Sequence, residues 1–367
     1  MSVPRGGALH RALCEPASLA GLSLREWESL IGQARASDLL ARVAVMVGEA
    51  GVAAPEAPAR HLAASILFCD AQHREVLREA KSIVHALSRL EIPVVLLKGT
   101  GYVAAQVRSA AGRIFTDVDI LVPKESLSAV EATLMVDGWA TTHHTEYDQR
   151  YYREWMHELP PMQHGRRQTV LDIHHAILPL TARIRPDSRL LIGDSVAASD
   201  VPGARVLAPR DMVLHSATHL FHNEEFSHGL RDLSDIDLMT RQFAGGERFW
   251  EGLLQRASVL QLERPLFYAM RYARDLLATP VPAGVLAELA RSAPPQPLLA
   301  IMDACWHRAL APAHPAHADW LTPGALFGLY LRSHWLKMPP MMLSRHLLTK
   351  AWMRMTADPE ALPERTG

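Results

Sequence analysis

Two aspartates separated by one residue, Asp117 and Asp119, open an apolar run that ends at Val122. Because side chains alternate along a strand, carboxylates at positions i and i+2 emerge on the same face. Two neighbouring carboxylates repel each other unless a cation lies between them. The pair therefore indicates a binding site for a divalent cation such as Mg²⁺.

A Gly-rich turn precedes the acid pair. An apolar run at residues 94–97 is followed by Lys98-Gly99-Thr100-Gly101, after which residues 102–107 are expected to form a short helix. Backbone amides at the start of a helix, together with a lysine, can bind an anion such as phosphate. A turn of this kind beside a strand with two acids indicates a Mg²⁺ site that handles a nucleoside triphosphate.

Asp172 is the candidate for a third carboxylate. Alternation along its strand places Asp172 and His174 on one face and Leu171 and Ile173 on the other. Nucleotidyl transfer needs stabilisation of developing charge, which metal ions on carboxylates provide. Asp172 could ligate a second metal ion or help to deprotonate an acceptor hydroxyl. His174 is either a supporting partner of Asp172 or a strand histidine that hydrogen-bonds the backbone.

Histidines form another group of candidates. His215, His219 and His222 fall on one helical face, at a spacing that could bind a transition metal. Leu214 and Phe221 mark the same segment as an ordinary amphipathic helix, so we favour a packing role. Further polar residues without an assigned role are His143, His144, His157, His164, His228, Arg231, Asp232, Asp235 and Asp237. Of these, Asp232 or Arg231 could instead face the nucleotide cleft.

The first 90 residues have a helical pattern. Apolar residues recur at steps of three and four from Ser23 to Val47 and again over residues 59–90, so helices are expected there. Pro93 stops the second of these helices. Residues 1–21 have a mixed composition, and we expect a poorly ordered start.

Strand and helix patterns alternate from residue 92 to residue 178. A helix is predicted at residues 126–136, and strands are predicted at residues 94–97, 117–122, 139–144, 151–157 and 169–173. This order predicts an α+β fold with a small mixed sheet and helices packed on it.

After Pro179 the pattern changes. Residues 180–210 indicate loops and short elements, and from Arg210 the 3.6-residue period predicts helices at residues 212–221, 230–243, 249–262, 265–277, 283–290, 298–310 and 326–338. The expected organisation is an N-terminal helical segment, a sheet core and a mainly helical C-terminal domain, at residues 1–90, 91–178 and 179–367.

The last stretch, residues 326–355, is rich in Leu, Met and Trp and carries five basic residues: Arg332, Lys337, Arg345, Lys350 and Arg354. A basic amphipathic segment can make a weak contact with a membrane surface or an RNA backbone. We favour a terminal helix that packs on the bundle with its charges in water, interrupted at Pro339-Pro340.

The composition is that of an ordinary globular protein. The chain has 367 residues, 49% of them hydrophobic and 21% charged, and its formal net charge of −1 provides no overall attraction to nucleic acid. No segment approaches the ~20 apolar residues of a membrane span. The N-terminus lacks a signal-peptide pattern, and the three cysteines are widely scattered, so we expect a cytoplasmic protein.

Three motifs carry a resemblance to a known family. They are Leu-Leu-Lys-Gly ending at Gly99, Arg113 followed by Thr-Asp-Val-Asp-Ile-Leu-Val from Thr116, and Leu-Asp-Ile-His ending at His174. They resemble the uncharacterised nucleotidyltransferase family of the polymerase-β-like superfamily, and they are also similar to nucleotidyltransferase toxins of abortive-infection systems. The resemblance covers roughly residues 60–240.

The resemblance implies a nucleotidyltransferase core with Mg²⁺ (or Mn²⁺) on Asp117, Asp119 and Asp172, and an NTP triphosphate on Lys98 and Gly99. Where the superfamily has Gly-Ser in this turn, the chain has Lys98-Gly99, so the role of the serine passes to Thr100 or to the lysine. Arg113 matches the arginine of the family ahead of the acid pair. It contacts phosphate or holds the acid loop by a salt bridge.

The leading hypothesis is a metal-dependent nucleotidyltransferase that moves an NMP from an NTP to an unidentified acceptor. The acceptor could be a small molecule, a peptide or protein side chain, or an RNA end, and the neutral charge disfavours long RNA. One alternative is a catalytically degenerate nucleotide-binding sensor. A glycosyltransferase with an Asp-x-Asp motif is the other, disfavoured because the preceding 90 residues read as helical rather than as alternating strands and helices.

Overall fold

Four helices precede the first strand of the protein. The computed structural model describes residues 7–142 and 146–339. Within them the first helices are α1 (Ala8–Cys14), α2 (Leu24–Ala36), α3 (Leu40–Glu49) and α4 (Glu56–Leu87). The Ser23 hydroxyl accepts a hydrogen bond from the Glu26 amide, and the Glu26 carboxylate accepts one from the Ser23 amide, which fixes the start of α2.

The expectation of a poorly ordered start is wrong for residues 8–21. This stretch forms α1 and a turn of 3₁₀ helix, and Leu9 and Leu19 are almost fully buried. Burial of these leucines stabilises a segment whose mixed composition concealed its apolar side. His143, His144 and the basic residues beyond residue 339, which carry sequence-based predictions, lie outside the described residues.

Seven strands form one mixed sheet, which confirms the α+β prediction. They are β1 (Val95–Leu96), β2 (Asp117–Leu121), β3 (Trp139–Thr141), β4 (Met162–His164), β5 (Val170–His174), β6 (Val196–Ala197) and β7 (Arg205–Val206), in the spatial order β3-β4-β5-β2-β1-β7-β6. At the centre, β2 runs parallel to β5 and antiparallel to β1. The inward-facing side chains of β2 and β5, among them Val118, Ile120, Leu171 and Ile173, are fully buried.

Short helices connect these strands: α5 (Lys98–Ala104), α6 (Leu127–Val136), α7 (Glu146–Trp155) and α8 (Ser188–Gly193). Helix α7 corrects the predicted strand at residues 151–157. The Tyr151 and Trp155 rings lie 5.9 Å apart, a contact between positions i and i+4 that a helix provides and a strand does not. Strands β6 and β7 extend the sheet beyond residue 178, in a segment where loops and short elements were expected.

Seven further helices follow in the described part of the chain, up to residue 339: α9 (Pro209–His222), α10 (Gly229–Phe243), α11 (Phe249–Val259), α12 (Glu263–Leu277), α13 (Ala283–Leu289), α14 (Gln296–Ala309) and α15 (Thr322–Lys337). Each corresponds to a helix predicted from the apolar period. Helix α9 packs against α10, α11, α12 and α15, and most of its residues are buried. Among the described residues, no helix combines the length and apolar character needed to cross a membrane.

Candidate active site

The three predicted carboxylates meet on the central strand pair. Asp119 on β2 and Asp172 on β5 are direct register partners, and Asp117 lies two residues before Asp119. Because register partners on neighbouring strands share a face, all three side chains emerge on the same side of the sheet. One carboxylate oxygen from each lies within 4.8 Å of the others. This spacing is compatible with shared coordination of a divalent ion.

The cluster concentrates negative charge at a partly buried position. Burial, reinforced by the charge of Asp119, raises the pKa of Asp117 and of Asp172. Burial alone would also raise the pKa of Asp119, but the Lys98 ammonium and the hydrogen bond from His174 hold that pKa well below its usual range. Asp172 Oδ1 is buried and has no hydrogen-bond partner among the described residues. A buried orphan oxygen beside two more carboxylates suits a hard cation such as Mg²⁺ or Mn²⁺.

Lys98 is the cation of the cluster. Its Nζ donates to Asp119 Oδ1 at 2.7 Å, and its side chain is 21% exposed. Lys98 is the first residue of α5 and has a φ of 43°, in the left-handed region that non-glycine residues rarely adopt. This backbone turn directs the lysine side chain back over β2, so in this structure the ammonium contacts an aspartate of the acid pair.

The two glycines of the turn are required by close packing. A Cβ atom on Gly99 would lie 2.6 Å from Cγ of Phe115, and one on Gly101 would lie 2.5 Å from the Leu96 carbonyl oxygen. These distances are shorter than side chains tolerate, so glycine lets α5 pack directly on β1 and on the loop before β2. Gly99, predicted as a phosphate contact, therefore has a structural role as well.

Thr100 differs from Lys98 in its accessibility. Thr100 is 1% exposed, and its hydroxyl has no hydrogen-bond partner among the described residues. Its side chain is enclosed by the core, whereas the Lys98 side chain is 21% exposed. Of the two residues proposed to replace the serine of the superfamily, Lys98 is the accessible one.

Arg113 lies in a buried ion network. Its Nε donates to Asp235 Oδ2 at 2.6 Å, its Nη2 lies 3.7 Å from Asp232, and its side chain is 7% exposed. Arg42 Nη2 lies 2.8 Å from the other oxygen of Asp235. The network joins α3, the loop before β2 and α10. The guanidinium of Arg113 is therefore engaged by aspartates of α10.

His174 contacts a different aspartate from the one expected. Its Nε2–H donates to Asp119 Oδ1 at 2.8 Å, and Glu158 Oε2 lies 3.2 Å from its Nδ1. The expected partner was Asp172, on the same strand face. The register explains the difference, because His174 lies beside Leu121 and its ring reaches back along β2 to Asp119.

The histidines of α9 do not form a metal group. Among the described residues, the clusters of three or more potential ligands are Asp117–Asp119–Asp172 and His157–Glu158–His174. His222 donates from Nδ1 to the Thr218 carbonyl at 3.1 Å, as expected for a packing residue. Burial, followed by the charge of Lys98, lowers the pKa of His215 and His219.

Sequence reasoning missed Glu158 and Arg42 as contributors to the site, and it named Asp235 without assigning it a role. Glu158 follows α7 in an irregular stretch, where neither helical nor strand spacing signals a shared face. Arg42 is the one charged residue in an apolar part of α3, which was an available signal for a buried ion pair. Its partner Asp235 could not be identified without the fold.

A protein-family model matches most of the chain. The model of a family described as an uncharacterised nucleotidyltransferase matches residues 23–278. Because this match spans well over half of the chain, the protein belongs to that family, and the recognition made from its motifs is confirmed. Comparison with curated proteins gives no match.

Similar solved structures include two of the protein ANT(2'')-Ia. One is a crystal structure in complex with adenylyl-2''-tobramycin, at 16% sequence identity and a TM-score of 0.34, covering 51% of this chain and 97% of that chain. The other is a solution structure of this antibiotic-resistance factor, at 16% identity and a TM-score of 0.32, covering 54% of this chain and 98% of that one. These values are too low to transfer any activity or substrate.

Proposed function

We propose that the protein transfers a nucleoside monophosphate from an NTP to an acceptor hydroxyl or phosphate, with release of pyrophosphate. Membership in the nucleotidyltransferase family supports the reaction class. The observation that carries the proposal is the register pairing of Asp119 with Asp172, which brings three carboxylates within 4.8 Å beside Lys98.

Asp117, Asp119 and Asp172 are the residues that would hold Mg²⁺ or Mn²⁺. The fit is supported by their oxygen donors, their mutual distances and the unpaired Oδ1 of Asp172. When bound, the metal supplies charge neutralisation at the phosphates and at the departing pyrophosphate. The chain holds its three carboxylates on adjacent strands, so little side-chain entropy is lost when a cation binds.

Lys98 is the residue we assign to the triphosphate. Its ammonium lies 2.7 Å from Asp119, and its side chain is 21% exposed, so it is placed to contact a phosphate oxygen of an NTP bound beside the acid cluster. To Arg113 we assign the structural role, in which it holds the acid loop by a salt bridge. A contact with phosphate would break its buried ion pair with Asp235. We assign Thr100 no contact with the nucleotide while its hydroxyl stays buried.

The acceptor is proposed to bind between the acid cluster and α9. The charge of Lys98 contributes to the lowered pKa of both His215 and His219 on this helix, and the side chain of His219 is 35% exposed. Burial lowers the pKa of His215 well below its usual value, so this ring, when neutral, can accept or donate one hydrogen bond to an acceptor group without adding charge. The proposal leaves the acceptor as a small molecule, a peptide or protein, or an RNA end.

Label transfer tests the proposal. Purified protein is incubated with Mg²⁺ and each α-labelled NTP, alone and with cell extract, and both labelled products and pyrophosphate are measured. We expect transfer with the unaltered protein and a loss of at least about 100-fold in Asp117→Asn and in Asp119→Asn. Asp70→Asn, the same change at an exposed position of α4, is the matched control and should retain full activity. Tight NTP binding without turnover under every condition would instead support the sensor function.

A further inference from the structure

A second cluster of potential metal ligands adjoins the three aspartates. One ligand atom each from His157, Glu158 and His174 lies within 4.8 Å of the other two. In particular, Glu158 Oε2 lies 3.2 Å from His174 Nδ1. Ligands around a tetrahedral Zn²⁺ ion are about 3.3–3.5 Å apart, given Zn–N and Zn–O bonds of about 2.0–2.2 Å. Glu158 and His174 therefore already offer two ligand atoms at a suitable separation.

The Nδ1 atom of His157 points to a missing partner. This nitrogen is buried and has no hydrogen-bond partner among the described residues. A buried polar atom without a partner costs about 1–3 kcal/mol, so such atoms are rare unless a ligand binds them. The ring lies 5.3 Å from that of His174, and one of its two nitrogens belongs to the cluster with the Glu158 carboxylate.

The backbone holds the three residues in place. The His175 amide donates to the His157 carbonyl at 2.8 Å, the Leu159 amide donates to the Ile173 carbonyl at 2.9 Å, and Glu158 forms a β-bridge with His174. The irregular segment that carries His157 and Glu158 is thereby fixed to the end of β5. The ligands thus lie on two segments whose relative position is already set, which lowers the entropic cost of binding an ion.

The surroundings favour a cation with imidazole ligands. His174 donates its Nε2–H to Asp119, which leaves Nδ1 for the metal, in the arrangement that most metal-bound histidines have with a carboxylate. Lys98 and Lys337 are the neighbouring cations that affect His157, and both are paired, with Asp119 at 2.7 Å and Glu224 at 3.8 Å. Two imidazoles and one carboxylate suit Zn²⁺ better than Mg²⁺.

We infer that His157, Glu158 and His174 bind a transition-metal ion, preferentially Zn²⁺, at a site separate from the three aspartates. Three protein ligands leave a fourth position for water or for a group of a bound substrate. The hydrogen bond between His174 and Asp119 joins this site to the carboxylate cluster. The inference is independent of nucleotide transfer, since Zn²⁺ binding is measured without NTP.

Direct metal binding tests the inference. The full-length protein is stripped with a chelator, and Zn²⁺ is then titrated in millimolar Mg²⁺ by calorimetry. Co²⁺ serves as a probe whose visible spectrum reports tetrahedral nitrogen ligation. We expect one equivalent of Zn²⁺, with affinity at least about 100-fold lower in His157→Gln and in Glu158→Gln. His61→Gln, at an exposed position of α4, is the matched control and should bind as the unaltered protein does.

Two further measurements show whether a loss of Zn²⁺ binding is specific to this site. One distinguishes it from an effect of the neighbouring aspartates, and the other distinguishes it from misfolding of the variants. Asp117→Asn should retain the Zn²⁺ equivalent, because that residue belongs to the other cluster. The melting temperature should rise on Zn²⁺ addition in the unaltered protein and stay constant in the two ligand variants, while the metal-free melting temperatures remain similar. No Zn²⁺ equivalent in the unaltered protein, unchanged binding in His157→Gln and Glu158→Gln, or loss of binding in Asp117→Asn would each overturn the inference.

Discussion

His174 and Asp119 share a hydrogen bond of 2.8 Å, which directly joins the two groups of candidate metal ligands. Oδ1 of Asp119 accepts this hydrogen bond and also one from Lys98. The other carboxylate oxygen of Asp119, Oδ2, therefore remains for a cation. The orientation of Asp119 thus depends on a residue that lies on the neighbouring strand.

Replacing His174 should weaken Mg²⁺ binding more than it slows catalysis at saturating metal. His174→Phe keeps a ring of similar size but removes the hydrogen bond that orients Asp119. Loss of such a supporting contact typically costs about 10–100-fold in metal affinity. The Mg²⁺ dependence of label transfer measures the effect, with His61→Phe as the exposed control. An unchanged Mg²⁺ requirement would show that His174 does not position the aspartate.

Because the backbone at Lys98 is left-handed, two substitutions of this residue should differ in stability. Lys98→Ala and Lys98→Gly both remove the ammonium, and both should raise the KM for NTP to a similar extent. At a φ of 43°, however, alanine is strained and glycine is not. After allowing for the flexibility of glycine in the unfolded chain, we expect Lys98→Gly to be about 0.5–1 kcal/mol more stable than Lys98→Ala. Denaturant unfolding measures the difference, and equal stabilities would contradict a left-handed backbone at this position.

Asp235 should be important for stability. It pairs with both Arg42 and Arg113, and its side chain is 1% exposed. Asp235→Asn leaves the buried Arg42 guanidinium without its counter-ion and Arg113 with only the Asp232 carboxylate at 3.7 Å, which should lower the free energy of unfolding by about 3–5 kcal/mol. Glu288→Gln, which removes one partner of an exposed pair with Arg291, is the matched control and should cost less than about 1 kcal/mol. Comparable losses in the two variants would argue against the buried network.

Acid should destabilise the protein through His10. Burial, followed by the charge of His317, lowers the pKa of His10 to about 4. The unfolded chain binds a proton at this ring near pH 6.5 and the folded chain does not, so stability is fully present above pH 6.5 and falls as the pH drops towards 4. The contribution of this one group amounts to about 3 kcal/mol.

His10→Leu should remove that part of the pH dependence. Neither ring nitrogen of His10 has a hydrogen-bond partner among the described residues, so leucine forfeits no such bond and should be at least as stable at pH 7. Urea unfolding at a series of pH values from 7 to 4 measures both slopes. If the slopes of His10→Leu and the unaltered protein coincide, His10 is not held neutral by burial.

The carboxylate cluster was predictable because its signals are local. Asp117 and Asp119 lie two residues apart, and strand alternation alone assigns them to one face. Asp172 also lies in a strand with alternating polar and apolar residues. The one further assumption needed was that its strand pairs with the strand of Asp117 and Asp119. The helices after Arg210 were predictable for a similar reason, since an apolar stripe repeats in each of them.

Other features depend on contacts between distant parts of the chain. Nothing near Asp235 in the sequence indicates that Arg42 will bind it, because the two residues meet only when α3 packs against α10. Strands β6 and β7 have two residues each, too few for an alternation pattern. The left-handed backbone conformation of Lys98 could not be predicted from the sequence either, since lysine rarely adopts it.

Diffraction from a complex with Mn²⁺ and a non-hydrolysable NTP tests the central claim most directly. The account predicts an anomalous Mn²⁺ peak about 2.1–2.3 Å from carboxylate oxygens of Asp117, Asp119 and Asp172, with the triphosphate against Lys98. A Mn²⁺ peak away from these aspartates, or a triphosphate bound elsewhere on the molecule, would contradict it.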